Sequence, residues 1–237
     1  MSLPASGAVD GEALLLSLKL AAVTTLVLLV IGTPLAWWLA RRRSPTRAVV
    51  SAVVSLPLVL PPTVLGFYLL VLLGPTGTLG RLLDAIGGPR LVFTFPGLVV
   101  GSCLFSMPFV VTPLRDAFVA LGRHPLEVAA TLRSGPLDRF WHVVVPLTRP
   151  AFFSAAMLGF AHTVGEFGVV LMIGGNIPGR TRTASLAVFE AVERMDYGRA
   201  HATSAVLLGF SFVVLLAVHL LGGGGGPVRE RPRSARR

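Results

Sequence analysis

The sequence is poor in charged residues and nearly devoid of cysteine and lysine. Charged side chains form 14% of its 237 residues, against about 25% in soluble domains. Its single cysteine, Cys103, excludes a disulfide within the chain and a cysteine-based metal site. Its single lysine, Lys19, follows Ser17 and Leu18 and therefore cannot belong to a G-x-x-x-x-G-K-S/T phosphate loop. The sequence thus contains no P-loop ATPase site.

Histidine is also scarce, and its spacing does not suit metal binding. None of the five histidines belongs to an H-E-x-x-H pattern or to another ligand spacing. We interpret each as a polar packing or interface residue: His124, His142, His162, His201 and His219. We therefore expect this chain to hold no metal and no cofactor of its own.

Hydrophobic residues are abundant and occur in long blocks. They make up 53% of the chain, with a mean hydropathy of +0.76. The uncharged block 20–40 is long enough to cross a hydrocarbon core of about 30 Å at about 1.5 Å per helical residue. Comparable blocks predict an all-α, polytopic membrane protein with about five transmembrane helices, near residues 17–40, 48–73, 93–114, 150–174 and 202–221.

The two ends of the chain differ in composition from these blocks. Residues 1–12 contain Asp10 and Glu12 but no basic residue, so they lack the positive region of a cleaved signal peptide. We expect a short external segment there, followed by a first span that is retained. Residues 222–237 are rich in glycine and arginine and predict a disordered, basic cytoplasmic tail.

A formal net charge of +10 would suggest nucleic-acid binding in a soluble protein. Here the arginines flank the apolar blocks, which is typical of membrane topology, and we expect a lipid bilayer and no nucleic acid as the surroundings. With the N-terminus outside, fourteen arginines face the cytoplasm, in 41–47, 115–149 and 229–237, and six face outward, in 81–90 and 180–199. Positive residues accumulate in cytoplasmic loops, so the C-terminus is predicted to lie inside.

The second apolar block contains three prolines, Pro57, Pro61 and Pro62. Each removes a backbone donor at membrane depth and leaves a carbonyl that needs another partner. Either the helix is kinked and stabilised by packing, or it is a broken helix that lines a passage. The residues alone leave both interpretations open.

The longest charged connection, residues 115–149, faces the cytoplasm in this topology. Pro125 suits a first helical turn, and the following segment 126–133 predicts a short helix with two adjacent small residues, Ala129 and Ala130. Small side chains on a short helix in a cytoplasmic loop indicate a docking element that a partner surface approaches closely.

This connection resembles the EAA loop of membrane subunits of ABC importers. We assign to it the coupling residues Glu127, Ala129, Ala130, Leu132, Gly135 and Pro146. The segment is about one residue shorter than is usual in the family, so Gly135 replaces a glycine expected near position 133, and we place the hinge there. The resemblance implies a type I ABC importer permease fold and a loop that docks into a groove on a separate ATPase subunit.

Three further stretches resemble the molybdate permeases of that superfamily: LPLVLPPTVLGFYLL at 56–70, VGEFG at 164–168 and NIPGRTRT at 176–183. The resemblance covers residues 13–220 and implies a transmembrane domain, 13–221, that imports molybdate across the bacterial inner membrane. It also implies a homodimer, ATPase subunits that hold ATP and magnesium, and a periplasmic or extracellular molybdate-binding protein. A tungstate or sulfate permease, an ion-coupled secondary anion carrier and a membrane scaffold without transport stay open as alternatives.

Glu166 is the only acidic residue inside a predicted span, and a carboxylate is costly to bury in a membrane. We predict a gate at which it pairs with an arginine or with free backbone donors; the alternative is a carboxylate satisfied in helix packing. The predicted pathway residues are Pro57, Pro61, Pro62, Gly165, Glu166, Phe167 and Gly168. Arg180 and Arg182, just outside the fourth span, are a candidate anion entrance or, equally well, interfacial anchors.

We expect reporter fusions after Arg43, Ala120 and Arg231 all to report a cytoplasmic location, because the arginine bias puts these three points inside. The measurement compares a reporter that is active only in the cytoplasm with one that is active only outside. A periplasmic signal from the fusion after Ala120 would contradict both the topology and the docking loop.

Overall fold

The computed structural model describes residues 9–41 and 44–222. Most of the predicted external segment, Arg42, Arg43 and all but the first residue of the predicted tail lie outside them. Every regular element in these two ranges is helical: α1 (Gly11–Ala40), α2 (Pro45–Ser55), a 3-10 turn (Leu56–Leu58), α3 (Pro62–Leu73), α4 (Thr78–Ala85), α5 (Phe95–Leu121), α6 (His124–Thr131), α7 (Pro136–Arg139), a π segment (Phe140–Val144), α8 (Val145–Val164), α9 (Gly168–Gly174), α10 (Ala184–Glu193) and α11 (Tyr197–Gly222). The all-α prediction is confirmed.

Helix α5 is the centre of the bundle, and α1 and α8 pack along it. Leu28 of α1, Val110 and Leu114 of α5 and Ala155 of α8 are fully buried in one cluster. A glycine brings α8 close to α5, since a Cβ at Gly159 would lie 2.6 Å from a methyl group of Val110. Small residues at such contacts are typical of helices that pack by dispersion in a membrane.

The outer surface of the bundle is apolar, as a hydrocarbon environment requires. Val30 on α1 is 74% exposed and Leu208 on α11 is 75% exposed. Within residues 9–41 and 44–222, five helical stretches are long and apolar enough to cross a membrane, in agreement with the predicted number: Gly11–Ala40, Pro62–Ala85, Phe95–Leu121, Pro136–Val164 and Tyr197–Leu221.

The predicted second span, 48–73, is two helices rather than one. Helix α2 ends at Ser55, the 3-10 turn follows, and α3 begins at Pro62, because prolines cannot donate hydrogen bonds to the preceding turn. The guanidinium of Arg115, near the C-terminal end of α5, donates to the hydroxyl of Ser51 on α2 at 3.1 Å. The broken segment therefore runs antiparallel to α5, with α2 beside the C-terminal end of α5.

Helix α3 contains 12 residues and reaches only about 18 Å, so α2 must supply the rest of this crossing. Helix α4 does not extend α3, because the chain turns between Gly74 and Gly77. A Cβ at Gly80 would lie 1.9 Å from the carbonyl oxygen of Gly74, so α4 folds back on the end of α3. We therefore assign the crossing to α2, the 3-10 turn and α3, and α4 to the membrane surface.

The predicted fourth span, 150–174, is also interrupted. Helix α8 starts earlier, at Val145, and ends at Val164, and three residues separate it from α9. Helices α1, α5 and α11 are continuous and extend past the predicted spans 17–40, 93–114 and 202–221. Their ends carry polar and charged residues at the membrane surface, which a hydropathy pattern does not count as span.

Candidate functional site

The two interrupted crossings meet at their interruptions. A Cβ at Gly168, the first residue of α9, would lie 2.7 Å from Cβ of Pro62, the first residue of α3. Further along the same pair of helices, a Cβ at Gly66 would lie 3.0 Å from Cα of Val169. Only glycine permits backbones this close. The start of α3 is therefore fixed against the start of α9.

A cleft of about 490 Å³ opens where these breaks meet. It is lined by Pro62, Thr63, Phe105, Ala161, His162, Gly165, Glu166, Phe167 and Gly168. Five of the seven predicted pathway residues thus lie together, although they come from segments far apart in the chain. Of the other two, Pro57 lies in the 3-10 turn and Pro61 caps the N-terminus of α3.

Glu166 lies between α8 and α9 with its side chain enclosed. The residue is 3% exposed, and within the described ranges no group completes a hydrogen bond to either carboxylate oxygen. The hydroxyl of Ser102 on α5 is near enough to interact with the carboxylate but does not meet hydrogen-bond geometry. The backbone of Glu166 is held more firmly, since its carbonyl accepts from the Ser185 hydroxyl at 2.5 Å. Neither the predicted arginine partner nor a packing partner reaches the carboxylate in this part of the chain.

Three residues of the cleft, Thr63, Phe105 and His162, are not among the predicted pathway residues. The imidazole of His162 stacks on Phe109 with ring centroids 3.9 Å apart and lies 4.8 Å from the Phe105 ring. A signal for His162 was present in the sequence, because it precedes Glu166 by one helical turn. Our interpretation of every histidine as a packing residue overlooked it.

At the end of the bundle where α5 ends, α6 presents part of the predicted coupling loop to solvent. Glu127 and Ala130 are exposed, whereas Ala129 is 9% exposed and faces the bundle. Only one of the two alanines can therefore touch a partner. Apolar side chains continue the exposed surface, with Leu132 80% and Trp141 62% exposed.

The left-handed residue that closes α6 is Arg133, near the position where the family glycine is expected, and not Gly135; the role of Gly135 as the hinge stays a prediction. Arg133 has a φ of +58°, and its N–H donates to the carbonyl of Ala130, which ends α6. Gly135 has an ordinary φ of −72° before α7. A left-handed residue commonly closes a helix C-terminus, and that position falls on an arginine here. Pro146 lies in the first turn of α8.

The two arginines of the predicted anion entrance have different surroundings. Arg182 is 17% exposed and forms ion pairs with Asp10 at 2.6 Å and Glu190 at 3.3 Å. Arg199 also binds Asp10, at 3.1 Å. Arg180 is exposed, and no ion pair to it is found within the described residues. The charge of Arg182 is matched by carboxylates, so of the two only Arg180 presents an exposed charge at this end.

Comparison with solved structures identifies the fold. The bacterial alginate ABC transporter, solved with an alginate pentasaccharide-bound periplasmic protein, includes a chain that superposes with a TM-score of 0.71 at 16% sequence identity. The match covers 90% of this chain and 77% of that one. The fold is therefore that of an ABC transporter permease.

Sequence comparison then gives the family. The family described as binding-protein-dependent transport system inner membrane component matches residues 32–223, and the chain belongs to it. It is a multi-pass inner-membrane protein.

Individual relatives carry more specific names. The molybdenum transport system permease protein ModB of Azotobacter vinelandii is 60% identical over 89% of this chain and 93% of its own length. The ModB of Escherichia coli K12 is 36% identical over 78% of this chain and 80% of its own length. The sulfate transport system permease protein CysT of Synechocystis is 37% identical over 81% of this chain and 67% of its own length.

We expect Glu166→Gln to preserve or raise stability while impairing transport. The amide keeps the shape of the side chain but removes a buried charge that has no hydrogen-bond partner in the described residues, so the apparent Tm should not fall and should rise by about 2–4 °C for each 1 kcal/mol relieved. The measurements are the Tm of the purified protein and uptake at equal expression. The matched control is Glu193→Gln, an exposed glutamate on α10. Normal uptake by Glu166→Gln would reduce this carboxylate to a packing residue.

Proposed function

We propose that the chain is the membrane subunit of an ATP-driven importer of molybdate. The observation that carries the proposal is the 60% identity to the Azotobacter vinelandii molybdenum permease over 89% of this chain. The sulfate permease of Synechocystis is 37% identical, which makes sulfate the second candidate substrate. Tungstate stays a further alternative, because its anion has the same charge and a similar shape.

The source of energy lies outside this sequence. Without a phosphate loop, we infer that ATP and magnesium bind to a separate ATPase subunit and that this chain is not an enzyme. The exposed surface formed by Glu127, Ala130, Leu132 and Trp141 at the inner end of the bundle is the proposed docking site. Exposed apolar side chains in a charged loop support a protein contact there.

The route from this surface to the cleft is one continuous helical rod. Helices α7 and α8 and the π segment between them run without a break from Pro136 to Val164, two residues before Glu166. An aromatic cluster anchors the inner end of the rod, with the Trp37 ring 5.2 Å from Phe118 and 5.6 Å from Phe140. A displacement of α6 by the ATPase would therefore move α8 and change the cleft. The π segment supports a functional role for this rod, because π segments inside α-helices are rare and frequently lie at functional sites.

The cleft is open on one side, which supports a pathway completed by a second copy of the chain. We infer a homodimer in which the two clefts, with Pro57, Pro61, Pro62, Gly165, Glu166, Phe167 and Gly168, form the gate. A periplasmic or extracellular molybdate-binding protein would deliver the anion to the outer end, with the N-terminus outside and the C-terminus in the cytoplasm. Arg180 is exposed at that end and is the proposed entrance residue.

The proposal predicts uptake of labelled molybdate by proteoliposomes that contain this subunit, its ATPase and the loaded binding protein. Uptake should require ATP on the side of the membrane where the ATPase subunits are bound. It should persist after the ion gradients across the membrane are collapsed. Excess unlabelled molybdate should compete more strongly than sulfate. Uptake that needs an ion gradient but no ATP would instead indicate an ion-coupled carrier, and stronger competition by sulfate would indicate a sulfate permease.

We expect Ala130→Glu to weaken ATPase binding while leaving membrane insertion intact. Overpacking a close contact costs about 1–3 kcal/mol, which lowers affinity about five- to more than a hundredfold. Co-purification of the ATPase and ATP hydrolysis stimulated by the binding protein are the measurements. The control is Ala85→Glu, the same change at an exposed alanine of α4. If both variants retain the ATPase equally well, α6 is not the coupling helix.

A further inference from the structure

A chain of hydrogen bonds fixes the orientation of His162 in the cleft. Nδ1 of His162 lies 2.9 Å from the Ser106 hydroxyl, which lies 2.9 Å from the Thr163 hydroxyl, which in turn donates to the carbonyl of Gly159 at 2.9 Å. A carbonyl only accepts, so the single hydroxyl hydrogen of Thr163 is used on Gly159. Ser106 must then donate to Thr163, and it can only accept from His162. Nδ1 therefore carries a hydrogen.

The other ring nitrogen of His162, Nε2, is available to a molecule in the cleft. Within the described residues Nε2 of His162 has no hydrogen-bond partner, and it is not among the fully enclosed polar atoms. In the neutral ring Nε2 is an acceptor, and protonation turns it into a donor without any change in the bond to Ser106. The chain of hydrogen bonds through Ser106 and Thr163 thus holds the imidazole ring of His162 in one position in both protonation states.

The surroundings of this ring contain few other ionisable groups. Among the residues that line the cleft, Glu166 is the other titratable one, and it is 3% exposed. On α5, Cys103 is 8% exposed, one turn from Ser106, and its thiol faces the carbonyl of Thr24. The lining residues from α3, Pro62 and Thr63, do not titrate. Among the residues that line the cleft, the imidazole is therefore the group that can gain a positive charge toward an anion.

We propose that His162 is the pathway residue that contacts the translocating oxyanion, and that it takes up a proton at Nε2 as the anion arrives. This inference rests on the proposed function. The proton comes from solvent, Nε2–H then donates a charge-assisted hydrogen bond to an oxygen of the anion, and the proton returns to solvent when the anion leaves. The face of Phe109 stabilises the charged ring by a cation–π contact.

Proton uptake at this position accounts for two needs of an anion pathway. A dianion is attracted to the ring only in the protonated form, so the contact exists while the substrate is present. Once the substrate leaves, the ring is neutral again and does not retain a second anion. A permanent cation such as arginine would lack this release.

The test uses the complete complex of permease, ATPase and loaded binding protein in proteoliposomes, with labelled molybdate, at about pH 6 and about pH 8 around the titration range of histidine. His162→Phe keeps the ring stack and removes both nitrogens, whereas His162→Gln keeps a hydrogen-bonding group that cannot gain a proton. The control is His201→Phe, on the exposed face of α11. Import rate and stimulated ATP hydrolysis are measured together.

In the wild type and His201→Phe we expect import to be faster at the lower pH. His162→Phe should hydrolyse ATP normally but import about tenfold less molybdate per ATP, the loss typical of a hydrogen bond to a charged group, with no dependence on pH. His162→Gln should recover part of the import and remain independent of pH.

If His162→Phe imports molybdate at the wild-type rate and with the wild-type pH dependence, the inference is overturned and His162 is a packing residue. If His162→Phe does not assemble with the ATPase, the pH dependence of His162→Gln decides the question. Absence of molybdate import by the wild type at both pH values would contradict the proposed function instead.

Discussion

The structure depends on one constraint, which is that backbone groups inside a membrane need partners from the protein itself. Three prolines deprive the segment before α3 of donors, and the residues between α8 and α9 leave a second helix interrupted. Placing the two interruptions side by side lets each be enclosed by protein rather than by lipid. Gly168 and Gly66 make this possible, because a side chain at either position would collide with the facing helix.

The remaining features of the site follow from this contact. The juxtaposed helix starts leave a cleft, and Glu166 lies in the chain between α8 and α9, where it becomes part of the wall. The C-terminal end of helix α8 lies at the cleft, and its N-terminal end is joined through the π segment to the predicted coupling loop. A break in a helix is also a place where direction can change at low energetic cost, so the same feature that satisfies the backbone gives the bundle a point of movement.

The sequence indicated part of this arrangement. Its prolines left a kinked and a broken helix open for the second crossing, and the fourth was predicted as one span, but five of the predicted pathway residues share the cleft. The role of His162 could not be read in the same way, because its orientation depends on the register between α5 and α8, which places Ser106 beside it. Local composition does not encode that register.

Other differences between the sequence predictions and the structure also arise from contacts between residues far apart in the chain. Arg182 binds Asp10, a residue 172 positions away in the chain, and no local pattern could have shown that its charge is already matched. The left-handed conformation of Arg133 was not predicted, although the family glycine is expected near that position, because an arginine occupies it and a glycine stands two residues later. Where the sequence departs from the common residue, only the geometry reveals which position carries the turn.

The ion pairs of Asp10 also have a consequence for biosynthesis. Asp10 caps α1, yet its partners Arg182 and Arg199 are made only after α8 and α9 have been synthesised. Until then the carboxylate at the N-terminal end of α1 has neither of these cations to bind. Joining of α1 to α11 therefore comes late relative to the synthesis of α1, and a chain that stops before α11 is left with Arg182 alone at this carboxylate.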